Sequence, residues 1–141
     1  HDLGDGSIHP GTKLPFGRRA ADVAFELAYG QRREGLVPVP TRVSIEGGGV
    51  RVEFSQGRAC LEGTQYLPDT VFVAGGDRQW HPANVEIGRS SIVARSARVS
   101  RPVALRYAWS DYPRVGLKTC ESGVPVTPFR TDDWPLSQFS R

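Results

Sequence analysis

The chain has 141 residues, 38% of them apolar and 23% charged, with a formal net charge of +3. That suits one compact globular unit able to bury roughly 70% of its unfolded surface, and it is far from the low-hydropathy, high-charge composition of disordered chains. No apolar run approaches the ~18 residues of a helical membrane span, and sixteen Arg against two Lys are scattered between acids from Arg18 to Arg141. A nucleic-acid surface gathers its cations on one face or element, so neither nucleic acid nor membrane is expected as a partner.

The first thirteen residues, HDLGDGSIHPGTK, combine two aspartates, glycines and a Ser-Ile-His-Pro run. Pro10 keeps the backbone of His9 extended, which suits a side chain projecting from a loop. The chain opens on His1 and contains no Met, so we expect it to start inside a longer polypeptide.

KLPFGRRAADVAFELAYG, residues 13–30, then reads as a helix. Phe16, Ala20, Val23, Ala24, Leu27 and Ala28 fall on one apolar stripe, with Arg18, Arg19, Asp22 and Glu26 mostly off it. Thr12 is the expected cap, Pro15 fits only the first turn, and Gly30 supplies a left-handed stop. One helix cannot bury such a stripe alone, so it is expected to pack on a domain lying upstream.

QRREGLVPVP, residues 31–40, is a connector whose prolines end helix and disfavour a central strand. From Thr41 the period becomes two. VSIE, VRVEF, TVFVAG, ANVEIG, SIVARSARV and VALRYAW alternate apolar and polar residues, and glycine-bearing turns divide them at 47–49, 55–57, 75–77 and 88–90. Short alternating strands at this spacing predict an antiparallel β-sandwich, and the Pro-rich stretch after Asp111 an extended wrap over it.

Cys60 and Cys120 are the only cysteines. They have no ligand-spaced His beside them, so no metal is expected, and no cofactor either. A single disulfide and two buried thiols both remain open. His81 reads as a strand-end surface residue, and Asp132 and Asp133 as solvated or Arg-paired. Arg106, Tyr107 and Trp109 read as core and rim of one strand rather than as a sugar platform.

Four segments, in this order, resemble the C-terminal part of the sialate O-acetylesterase family within the SGNH hydrolase superfamily. Asp2-Leu3-Gly4-Asp5 with Ile8-His9-Pro10 is similar to the family's acid-and-histidine loop. Lys13, Gly17-Arg18-Arg19 and Ala28-Tyr29-Gly30 are similar to the helix that follows. Phe72-Val73-Ala74-Gly75, Asp77 and the Trp80-to-Ala83 stretch look like a strand pair of the sandwich. Residues 102–109, PVALRYAW, with Pro125, Pro128 and Phe129-Arg130-Thr131-Asp132, match the closing signature. Gly116-Leu117-Lys118-Thr119 departs from the family's Asn-Leu-x-Asn.

The resemblance implies residues 1–35 as the end of an SGNH-type α/β hydrolase domain and residues 41–141 as a β-sandwich domain with an extended tail, mostly β in all. It implies hydrolysis of acetyl esters on sugars by a Ser-His(-Asp) mechanism, in a secreted, periplasmic or lysosomal setting. His9 is then the base that takes the proton of a serine, and an acid on the far imidazole nitrogen fixes the tautomer. Asp5 is the candidate acid, although the family places its aspartate three residues before the histidine, where Gly6 stands here. Asp2 or a backbone carbonyl are the alternatives. No Gly-x-Ser-x-Gly or Gly-Gln-Ser occurs, so the nucleophile is expected upstream or on a companion chain, and this chain alone is expected to be inactive. The alternative is a non-catalytic carbohydrate-binding or structural β-sandwich module.

Overall fold

The computed structural model describes residues 9, 11–31, 37–55 and 60–135. Among them stand one α-helix, α1 (Leu14–Tyr29), and ten strands, all pairing antiparallel.

α1 begins at Lys13, not at Thr12, and no side chain caps it. Gly17 N–H reaches the Lys13 carbonyl at 3.0 Å. Pro15 sits in the first turn, where a missing N–H costs nothing. Gly30 closes the other end at φ 64°, its N–H on Glu26 O and that of Gln31 on Phe25 O. This paired closure needs a left-handed residue, hence glycine.

The apolar stripe of α1 is uncovered. Phe16 is 61% and Leu27 79% exposed, and no residue of the helix is buried. The half-buried positions are Pro15, Arg19, Asp22, Val23 and Glu26, largely the polar side. The protein's core lies elsewhere.

Strands β1 (Pro40–Glu46), β2 (Gly49–Phe54), β6 (Asn84–Ile87) and β7 (Ser91–Arg95) form one sheet in the order β1-β2-β7-β6. Strands β4 (Val71–Ala74), β5 (Trp80–Pro82), β8 (Ala104–Tyr107) and β10 (Phe129–Arg130) form a second in the order β10-β8-β4-β5. β3 (Leu61–Gly63) pairs with β9 (Leu117–Thr119) beside them. His81 lies in the middle of β5, opposite Val73, rather than at a strand end.

The β1–β2 turn explains its three glycines. Gly47 and Gly48 both take positive φ, 54° and 70°, between paired Glu46 and Gly49, as a two-residue turn matched to strand twist demands. A side chain on Gly49 would meet Arg95 and the Ala94 carbonyl.

One hydrophobic cluster joins the two sheets. Val50, Val52 and Phe54 with Ile92 and Ala94 come from the first, Val71, Val73, Leu105, Tyr107 and Phe129 from the second, and Leu117 and Val126 from the β9 side. Burying each large aliphatic side chain contributes about 1.5–3 kcal/mol. Val43 and Ile45 pair with Val52 and Val50, so they point to the core side, yet they are 44% and 53% exposed. β1 is an edge strand of its sheet.

Cys60 and Cys120, 60 positions apart in sequence, are bonded as a disulfide with Cα atoms 5.4 Å apart. This settles the question the sequence leaves open. Closing so long a loop is worth about 4 kcal/mol in the chain-entropy model.

Candidate functional site

Of the residues that carry the catalytic reading, the structure places His9 alone. It is exposed, five positions before α1. Asp5 and Asp2 lie outside the described residues, as do Gly6, Ser7 and Pro10. The pairing of His9 with a carboxylate therefore falls outside the described residues. Among the described residues no group of His, Cys, Asp and Glu is arranged to hold a metal ion.

The densest polar constellation is on the outer face of the second sheet. Val71, Val73, Leu105 and Tyr107 point inward, so Phe72, Ala74, Ala104 and Arg106 point out. Arg106 donates two hydrogen bonds to Asp132, Nε to Oδ2 at 2.9 Å and Nη2 to Oδ1 at 2.8 Å. The Asp132 side chain is 1% exposed. Arg130, cross-strand from Arg106, stands 3.7 Å from the same carboxylate, and Trp134 N–H donates to it at 3.2 Å. These donors, Arg106 foremost, hold the Asp132 carboxyl below its usual range.

Aromatic rings close over this pair. Arg106 stacks on Trp80 with 4.3 Å between guanidinium and ring centroid, and Trp80 packs on Trp134 at 5.5 Å. Arg78 lies over Trp134 at 5.2 Å, carried by a turn in which Arg78 itself takes φ 61°. Thr131 ties residues 129–135 down: its N–H donates to Leu105 O at 2.9 Å and its hydroxyl accepts from Leu105 N–H at 2.8 Å. Arg106, Asp132, Arg130 and Arg78 all have partners here, so the arrangement serves to hold a surface together.

Beyond Tyr107 the alternation breaks. Ala108 adopts φ 49°, its N–H on Thr70 O at 2.7 Å and its carbonyl taking the Ser110 N–H at 3.1 Å. Trp109, which strict alternation turns inward, instead reaches the outer face, where Arg130 covers it at 5.5 Å. No periodicity predicts this; a positive φ at a non-glycine residue is visible only in the fold.

On the first sheet, a shallow depression of about 370 Å³ is lined by Arg51, Glu86, Arg89, Ser91 and neighbours. Arg51 is engaged there by Glu46, Glu53 and the Ser91 hydroxyl. No nucleophile–base pair stands in it.

No family model matches the chain, and no curated protein matches it. Among solved structures, a carbohydrate acetylesterase from Xanthomonas citri matches with a TM-score of 0.85 and 35% sequence identity, over 94% of this chain and 31% of that one. The mostly β architecture with one helix is thus shared with a carbohydrate acetylesterase, of which this chain spans about a third.

Proposed function

We propose that this chain is the C-terminal portion of a carbohydrate O-acetylesterase of sialate type, in which His9 is the general base. The observation that carries the reading is the match to the Xanthomonas esterase across 94% of the chain. The uncovered stripe of α1 supports the division of labour: residues 1–35 complete an SGNH-type α/β domain supplied by an upstream segment or companion chain, and residues 41–141 are the β-sandwich. The serine and its oxyanion-hole donors belong to that other part.

In this mechanism the serine attacks the acetyl carbonyl while the His9 imidazole takes its proton and returns it to the departing sugar oxygen. Water, giving its proton to the same imidazole, then attacks the acetyl-serine, and acetate leaves as the serine regains its proton. Asp5, or failing it Asp2 or a backbone carbonyl, fixes the ring from its far nitrogen. Alone, the chain lacks the nucleophile and is inactive. The Cys60–Cys120 disulfide supports an oxidising, non-cytosolic setting.

The test is His9→Ala in the nucleophile-bearing enzyme, assayed on an O-acetylated sugar. Loss of the base should lower kcat by about three orders of magnitude or more with KM little changed, and Asp5→Asn should follow it in proportion to its share of ring orientation. A folded His9→Ala enzyme keeping more than about a tenth of kcat rules the assignment out. One observation favours a second reading, a non-catalytic carbohydrate-binding or structural module: the β core closes without burying any residue of α1.

A further inference from the structure

Trp109 is held in a way that its packing does not require. The indole is 40% exposed, whereas Trp80 and Trp134 are half-buried against each other. It follows Ala108, whose φ of 49° is a conformation that costs a residue with a Cβ about 1–2 kcal/mol. That conformation is fixed from both sides by the Thr70 carbonyl and the Ser110 N–H. Strain that serves to expose an indole rather than bury it points to a ligand.

The ring is also oriented in advance. The Arg130 guanidinium lies over one face, itself anchored by the Trp134 carbonyl at 2.9 Å and the Asp132 carboxylate at 3.7 Å. An indole braced on one face and open to solvent loses little freedom when something stacks on the rest. Ser110 and Asp111 follow it, both exposed, one a hydroxyl and one a carboxylate.

We propose that Trp109 is a sugar-stacking subsite on the β unit, outside the catalytic centre, which takes one pyranose ring of an oligosaccharide. The negative face of the indole attracts the polarised C–H bonds on the apolar face of a pyranose, and Ser110 and Asp111 hydrogen-bond its hydroxyls. The choice of a carbohydrate rests on the esterase reading; the site itself rests on the geometry of residues 108–111 and 130. Its role is to hold the chain of sugars whose acetyl groups are hydrolysed elsewhere.

The experiment titrates this chain with xylohexaose, cellohexaose and sialyllactose, following its three indole N–H resonances. At least one sugar should shift the Trp109 resonance saturably and leave those of Trp80 and Trp134 little changed. Trp109→Ala should weaken that binding by about tenfold or more, and Trp109→Tyr, which keeps a ring, by clearly less. Both variants should melt within a few degrees of the parent. No saturable shift with any of the three sugars overturns the subsite, as does binding that survives Trp109→Ala. Neither outcome bears on His9. Conversely, sugar binding at Trp109 together with a fully active His9→Ala enzyme would remove the esterase mechanism and leave the subsite standing.

Discussion

Arg106 and Asp132 are 26 positions apart and meet through two near-parallel hydrogen bonds, with the Asp132 carboxylate almost wholly enclosed. The pair pins the segment after β10 against the outer face of its sheet, beneath Trp80 and Trp134. Removing one member of such a pair leaves a buried charge behind. Arg106→Ala should therefore destabilise the fold by about 3 kcal/mol, less whatever Arg130 recovers by moving closer. Asp132→Asn should cost less, since the amide keeps one acceptor for Arg106.

The same pair sets an acid limit. The folded carboxyl is depressed below its unfolded value near 3.9, so its contribution is fully present above that pH and fades as pH falls through the folded value. Denaturant midpoints for the parent should fall on acidification below about pH 4. The Asp132→Asn variant should fall less steeply over that window. Parallel curves for the two proteins would show that other carboxylates control the acid transition.

Tyr107 offers a second test, inside the core. Its hydroxyl accepts the N–H groups of Leu117 at 2.7 Å and Gly116 at 3.1 Å, joining β8 to the start of β9. Burial pushes the phenol pKa up, against the two backbone N–H groups that hold it down. Tyr107→Phe strands two buried donors and should cost about 1–3 kcal/mol by denaturant melting. Gly116→Ala should be at least as damaging, because a Cβ there would collide with the Thr70 hydroxyl and crowd the Tyr107 ring. A Gly116→Ala protein as stable as its parent would show that this junction has room to give.

Which parts were legible in the sequence follows from length and range. β1, β2, β4, β6, β7 and β8 run four to seven residues, enough for an alternation to declare itself. β3, β5, β9 and β10 have two or three residues and exist because a neighbour pairs with them; no period can announce them. The helix was readable to within a residue at each end because Pro15 and Gly30 punctuate it, though the cap moved from Thr12 to Lys13. His9 stood out by its flanking residues. An Arg partner for Asp132 is one of the sequence's open readings, but Arg106 as that partner and the turn at Trp109 are not legible, since one needs a contact across 26 positions and the other a backbone angle at Ala108.

The stripe of α1 supports the last prediction. Phe16 and Leu27 are each more than half exposed, on a helix whose own sequence is amphipathic. Leaving that much apolar surface in water is unfavourable at about 25 cal/mol per Å², so in isolation the helix should drive self-association or fray. Phe16→Ser with Leu27→Ser should therefore make the isolated chain more monodisperse in sedimentation while the melting of the β core stays unchanged, because neither residue belongs to the core cluster. In the nucleophile-bearing enzyme the same double substitution should be costly, by about 4 kcal/mol or more if both side chains are buried there. A complete enzyme that tolerates both serines with full activity and stability would mean that nothing covers the stripe, and the division of the catalytic domain between this helix and an upstream partner would be wrong.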